Sequence, residues 1–249
     1  NAYVRTDSYF DNSPLASSGL PSKNELELLN VWKDEIPEEV FTETYTPPIT
    51  DGSGNDRKNL LKAKEILEKE GWFVEDGKLV KDGKEFKFEF LIVSPSDEKI
   101  ALAYQSNLKK LGITMDVRTV DSSQYQERLL SYDFDMIKRY WGVSLSPGNE
   151  QQFYWGSEVG QKDGSRNYPG INSPAVDALI EKLISATNRE ELTTAIHALD
   201  RVLLWGHYVV PLYHSNKDRI AYWDFFEYPD EIPLYGIVIE SWWINKDKQ

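Results

Sequence analysis

The sequence predicts an α/β fold whose core is a β-α-β-α-β block with right-handed crossovers and a mostly parallel sheet. Three observations predict it. Glu85 to Ser94, EFKFEFLIVS, alternates and then becomes continuously apolar, the pattern of a strand entering a covered sheet. A Ser-Pro-Ser-Asp start leads into a helix over Asp97 to Leu111, closed by Gly112, and Ile113 to Val120 follows as the next strand. Asp121, Ser122 and Ser123 then cap a helix running to about Ser131, after which Asp135 to Trp141 supplies the third strand.

The flanking elements follow in order. Residues 8 to 55 hold Pro14, Pro21, Pro37, Pro47 and Pro48 around a short helical pattern near Asn24 to Trp32, and read as a wrapping segment. DGSGN at Asp51 to Asn55 supplies a turn and a cap for a helix from about Asp56 to Glu70, whose Leu60, Leu61, Ala63, Ile66 and Leu67 form an apolar stripe before Gly71 ends it. Beyond the core block a long connection runs to Pro174, where the next helix opens. Helices are predicted over Pro174 to Ala186 and Arg189 to Trp205, the second with Leu192, Ile196, Leu199, Leu203 and Leu204 on one face. VVPLYH and RIAYWDFF read as strands, the first an edge or irregular strand because of Pro211. The tail from Ile232 to Ile244 is apolar and aromatic without an obvious partner. The chain opens at Asn1 with neither a methionine nor a leader pattern, so it reads as processed or excised.

Composition excludes several classes. The 249 residues are 40% hydrophobic with no apolar run near the length of a bilayer span, so no transmembrane helix is expected. A formal charge of -13 disfavours nucleic acid and suits cationic or zwitterionic ligands. Zero cysteines remove disulfides, thiolate catalysis and Cys-type zinc sites. His197, His207 and His214 include no pair at the spacing of a helical metal site, so no metal is expected. Asp133 with Asp135, or Glu227 with Asp230, could be imagined as a glycosidase pair, yet close carboxylates arise by chance in so acidic a chain. No serine sits in G-x-S-x-G, and GSGNDR at Gly52 to Arg57 reads as a capped glycine turn rather than a phosphate loop. No catalytic residue and no cofactor is predicted.

The informative stretch is Phe134 to Asp177, FDMIKRYWGVSLSPGNEQQFYWGSEVGQKDGSRNYPGINSPAVD. Long connections in compact domains are disordered or functional, and Phe153, Tyr154, Trp155 and Tyr168 argue against disorder. Tyr140, Trp141, Tyr154, Trp155 and Tyr168 cluster with Arg139, Gln151, Arg166 and Asn167 around turns, which favours a recognition surface over core. The expected ligand-facing wall is Trp141 with the loop from Ser144 through Ser146 to Trp155. Arg139 or Arg166 would meet a carboxylate or phosphate.

RTDSYFDNSPLASSGLP, TPPITDGSGNDRKNL, FDMIKRYWGVSLSPGNEQQFYWGS, GSRNYPGINSPAVDALI and ALDRVLLWGHYVVPLYH occur in an order that resembles the C-terminal half of the extracellular solute-binding proteins of peptide ABC importers. Within that dipeptide and oligopeptide family they look like the subfamily importing peptides and the peptide–nucleotide antibiotic microcin C. The resemblance implies a type II periplasmic-binding-protein clamshell that delivers oligopeptides to an inner-membrane permease. Residues 1–232 would form most of the second lobe, and 233–249 would return to a first lobe that lies outside this sequence. It also implies that Trp141 lines the cleft, and that Asn167 and Tyr168 precede the SPAxD helix start as in relatives. Oligopeptide receptors usually place an aspartate three residues after that tryptophan to hold the peptide amino terminus, whereas this chain has Ser144. An oligosaccharide receptor of the same fold and a glycoside-processing enzyme are the alternatives.

Overall fold

The computed structural model describes residues 3–160 and 162–248; Asn1, Ala2, Gln161 and Gln249 lie outside the described residues, and with them the expectation about the chain's opening residue. In chain order the elements are β1 (Val4–Arg5), α1 (Lys23–Leu29), α2 (Glu39–Thr42), α3 (Arg57–Lys69), β2 (Phe73–Glu75), β3 (Lys78–Lys81), β4 (Lys84–Glu85), β5 (Lys87–Ile92) and α4 (Pro95–Lys109). They continue as β6 (Thr114–Thr119), α5 (Ser122–Leu130), β7 (Met136–Ile137), α6 (Glu150–Trp155), α7 (Pro174–Ile184), α8 (Arg189–Trp205), β8 (Tyr213–His214), β9 (Phe226–Glu227) and β10 (Trp243–Ile244). The chain divides into two compact units, one of residues 1–45, 145–147 and 178–249, the other of residues 46–144 and 148–177.

The second unit contains the predicted block. Its sheet has the order β6-β5-β7 with both pairings parallel. Each crossover begins with a side-chain cap: Ser94 accepts from the N–H of Ser96 at the start of α4, and Asp121 accepts from Ser123 and Gln124 at the start of α5. Central β5 is covered on both faces. Phe90 and Ile92 join Leu79, Ala101, Leu108, Ile113 and Met115 in one cluster, while Leu91 joins Val120, Tyr125 and Leu129 in another. That explains why its sequence turns continuously apolar: a strand buried on both faces has no polar side to alternate with. Gly112 ends the α4 connection at φ +80, and a Cβ there would lie 2.8 Å from the Leu79 backbone nitrogen, so only glycine fits.

Several expectations need correction. The third strand, expected over Asp135 to Trp141, shrinks to Met136–Ile137, and the connection beyond it contains a helix, α6, where none was predicted. A six-residue helix is too short to show a periodic pattern. The apolar stripe of α3 is only partly covered: no residue of the helix is buried, Leu61 and Ile66 stay open to solvent, and Leu67 packs against the core. The antiparallel sheet β2-β3-β4 was not predicted, although Asp76-Gly77 and Asp82-Gly83, all four at positive φ, are the residues its two turns require. Of RIAYWDFF only the final Phe226 enters a strand.

The first unit is organised on α8, against which α1 and α2 pack. Its predicted apolar face is buried at Ile196, Leu199, Leu203 and Leu204. The same helix also buries Asp200 and Arg201, which fasten the wrapping segment: Asp200 accepts from Ser8, Tyr9 and Ser17, and Arg201 donates to the carbonyls of Ser18, Gly19 and Leu20. The end of the chain is different. From Trp205 through Lys248 no residue is buried, and Trp223, Leu234, Tyr235 and Ile239 are each more than 70% exposed. Among the described residues its strand pairings are two short antiparallel ones, β8 with β1 and β9 with β10.

Candidate ligand-facing wall

Ligands of open parallel sheets bind outside the carboxyl ends of the strands, where the strand order reverses. In the second unit that place lies between β5 and β7, because the chain passes from β5 to β6 on one side and then crosses to β7 on the other. Lys138 and Arg139 leave β7 there. Lys138 forms an ion pair with Asp97 in the first turn of α4, and its carbonyl accepts from the Tyr125 hydroxyl at 3.3 Å. Arg139 remains exposed, with its guanidinium 5.1 Å from the ring centroid of Tyr168 and Nη2 donating to the Tyr168 hydroxyl at 3.3 Å. No carboxylate lies within ion-pair distance of Arg139 or Arg166 among the described residues.

The wall itself is a chain of rings. Tyr168 contacts Phe134, Tyr132 and Trp141 at centroid distances of 6.3, 6.1 and 6.2 Å, and Trp141 tilts against Trp155 at 4.8 Å. Trp141 is half-buried, and its indole N–H donates to the Arg166 carbonyl at 3.2 Å, so one ring face is packed and the nitrogen is occupied. Burial pushes the Tyr125 and Tyr132 phenols up, against the opposing effects of Arg139 on the first and Ser165 on the second. Both phenols therefore stay neutral at ordinary pH, and the exposed charge of this ledge is the guanidinium.

The predicted residues separate into two groups. Arg139, Ser144 and Arg166 are exposed, and Trp141 and Tyr168 are half-buried. Gln151, Tyr154, Trp155 and Asn167 are instead buried, at 1, 8, 2 and 0% exposure, and cannot present a side chain to a ligand in this conformation. Their polar groups are used internally: the Trp155 indole donates to Gln151 Oε1 at 3.0 Å, one helical turn away, and the Tyr154 hydroxyl donates to the Gly142 carbonyl at 3.4 Å. A buried indole needs an acceptor, and Gln151 supplies it. These four residues support the ring cluster from within and are corrected from ligand-facing candidates to buried ones. Ser146 is exposed but lies in the first unit with Leu145 and Pro147. Tyr140, 89% exposed and in no ring contact among the described residues, stands on the same loop as Arg139 and Trp141; its exposure had no separate sequence signal.

Other candidate chemistry is absent from the second unit's glycine turn, where Asp51 and Ser53 accept the N–H groups of Ser53 and Asn55 and leave them unavailable to a phosphate. Among the described residues no group of three or more His, Asp or Glu is placed to hold a metal. No helix is long and apolar enough to cross a membrane among the described residues. A concavity of about 820 Å³ is lined by Tyr222, Phe226, Glu227, Tyr228 and Trp243 in the first unit and shares no residue with the wall. That concavity opens entirely within the unburied end of the chain.

A family model for the middle region of the bacterial extracellular solute-binding proteins, family 5, matches residues 31–163, more than half of the chain. The chain is 50% identical over 246 residues to the uncharacterized protein y4wM of Sinorhizobium fredii, covering 98% of this chain and 37% of that protein. It is 43% identical over 247 residues to the probable peptide-binding protein YejA of Agrobacterium fabrum, covering 98% of this chain and 40% of that protein. The chain thus spans about two fifths of the length of these relatives. In fold it is similar to the oligopeptide-binding protein AppA from Bacillus subtilis, solved with a nonapeptide, at a TM-score of 0.58 and 23% identity over 90% of this chain and 45% of that one.

Proposed function

Because the chain belongs to family 5 of the bacterial extracellular solute-binding proteins, we propose that it is part of the periplasmic, non-enzymatic substrate-binding component of an ABC importer, capturing oligopeptides or peptide conjugates such as microcin C for a membrane permease. Residues 1–232 would serve as the second lobe of a clamshell, and 233–249 as a segment returning to the first. The observation that carries the reading is the ledge at the carboxyl end of β7, where exposed Arg139 is held on Tyr168 beside half-buried Trp141. Such a surface suits a peptide. A guanidinium held on a ring reads a carboxylate or phosphate in fixed geometry, while ring faces accept side chains of varied shape. YejA of Agrobacterium fabrum, a probable peptide-binding protein, and AppA, solved with a nonapeptide, support the same ligand class. Ser144 stands where an aspartate would hold the peptide amine; a hydroxyl supplies no charge, so the amine is held elsewhere or the ligand is bound differently.

Incubating the intact protein with peptide and glycan pools, and identifying by mass spectrometry what co-purifies, tests this proposal. Peptides are expected. Retention of glycans alone, or release of cleaved sugar, would overturn it. Within the wall, Trp141→Ala is expected to weaken peptide binding by about 1–3 kcal/mol, whereas Trp155→Ala is expected to cost about 3–5 kcal/mol of stability. Unchanged affinity in a folded Trp141→Ala protein would remove Trp141 from the wall.

A further inference from the structure

We propose that Asn167 is a positioning residue, whose buried carboxamide presets the arrangement of Trp141 and Tyr168 before any ligand arrives; this rests on the reading of those rings as ligand-facing. The carboxamide is completely buried and fully used. Nδ2 donates to the carbonyls of Gly156 at 3.0 Å and Ile171 at 2.8 Å, and Oδ1 accepts from the Ile171 N–H at 2.8 Å. One side chain thus closes the loop from 156 to 171. The two residues flanking it in sequence are the ones that touch the wall: the Arg166 carbonyl holds the Trp141 indole, and the Tyr168 ring carries Arg139 and contacts Trp141. A backbone shift at 167 therefore moves both ring contacts together.

Gly160 gives a second, independent observation. A Cβ at this position would lie 2.5 Å from Asn167 Nδ2, so the amide occupies the space that any other residue at 160 would fill. The loop accordingly fixes Asn167 from both sides, by hydrogen bonds to Gly156 and Ile171 and by contact at Gly160. Binding surfaces lose affinity when their supporting residues allow displacements of about an ångström.

The test uses the intact protein, 15N-labelled at tryptophan indoles, with tetra-alanine as the probe peptide. Asn167→Ala is expected to shift the Trp141 indole N–H resonance and to weaken tetra-alanine binding about tenfold. In a Trp141→Ala background the same substitution should weaken binding by clearly less than it does alone, because one of the two rings it positions is gone. Gly160→Ala pushes on the amide without removing it and should shift the same resonance, which keeps the proposal testable if Asn167→Ala does not fold. An unmoved Trp141 resonance in a folded variant, or equal affinity losses in both backgrounds, would make Asn167 a stabilising residue only and overturn the proposal. If the unsubstituted protein binds no tetra-alanine or other peptide, the peptide reading fails separately, and the resonance still reports whether Asn167 sets Trp141.

Discussion

Residues 8–17 in one unit and 156–171 in the other are irregular stretches of chain, each fastened largely by one fully buried side chain, Asp200 in the first and Asn167 in the second. Asp200 accepts four hydrogen bonds, from Ser8 Oγ, Tyr9 N, Ser17 N and Ser17 Oγ, at 2.7 to 2.9 Å. Asn167 donates twice and accepts once. A stretch that turns only donors inward suits a carboxylate, which only accepts, and a stretch that turns inward two carbonyls and one N–H suits an amide, which does both. The chemistry of the fastener follows from what the surrounding backbone leaves unpaired. One consequence separates the two: only the carboxylate makes its stretch answer to pH.

The largest effect expected is at Asp200. Asp200→Ala leaves four donors without their acceptor in a buried site and is expected to cost about 3–5 kcal/mol, read as a lower denaturant midpoint at unchanged slope. A loss below about 1 kcal/mol would show that the wrapping segment is held by its apolar contacts alone. Arg201 supports the same segment through the carbonyls of Ser18, Gly19 and Leu20 and a buried ion pair with Glu25 at 2.6 Å.

The second prediction opposes the two fasteners in charge. Burial pushes the Asp200 carboxyl above its ordinary value, with its hydrogen-bond donors acting the other way. A folded-state pKa above the unfolded one, about 3.9, means that the folded chain binds more protons in that window, so this contribution to stability falls as pH rises through it. Asp200→Asn removes the titration, and the stability of the parent relative to this variant should decline from about pH 4 upward. Asn167→Asp creates the converse case. Its carboxylate would face the Gly156 and Ile171 carbonyl oxygens, costing about 2–4 kcal/mol at neutral pH and regaining part of that on acidification, when a proton can again be donated. Denaturation series from pH 4 to 8 on the two variants check both signs; a parent advantage that grows with pH at Asp200 would contradict the desolvation argument.

The contrast also shows what the sequence could disclose. The β-α-β-α-β block was legible because periodicity, caps and the glycine after α4 all signal locally, and β5 confirms it with apolar residues on both faces. Neither fastener was legible in its role. Asp200 sits inside an otherwise amphipathic helix, 183 residues from the Ser17 it binds, and no local rule pairs positions so far apart. Asn167 was read as ligand-facing because amides beside aromatics around turns look alike whether they meet solvent or backbone; its burial depends on Gly156 and Ile171 folding over it. The same ambiguity placed Trp155 on the surface, since the signal that buries it is its Gln151 partner four residues earlier, on a helix too short to recognise. Arg139, Trp141 and Tyr168 do keep an exposed or half-buried side chain, because the third strand ends at Ile137 and Tyr168 lies in the turn before α7, where local order suffices.

The smallest effect concerns single hydroxyls in the two stretches. Ser17 Oγ donates to the Asp200 carboxylate at 2.7 Å, whereas Ser157 Oγ accepts from the Ser173 N–H at 3.0 Å in the stretch fastened by Asn167. Hydrogen bonds to charged groups contribute about 1.5–3 kcal/mol and neutral ones about 0.5–1.5 kcal/mol. Ser17→Ala retains the Ser17 backbone N–H on the same carboxylate at 2.9 Å, which limits its cost to about 1–2 kcal/mol. Ser157→Ala leaves a half-buried N–H that water can reach, and its cost should be about 0.5–1 kcal/mol. The ordering matters more than either value. Raising salt should leave the Ser157 loss unchanged and barely reduce the Ser17 loss, because the carboxylate it serves is buried and poorly screened. Equal losses at neutral pH, measured on the same denaturant scale, would mean that charge adds nothing to the Asp200 fastening and that the two stretches differ only in which groups they turn inward.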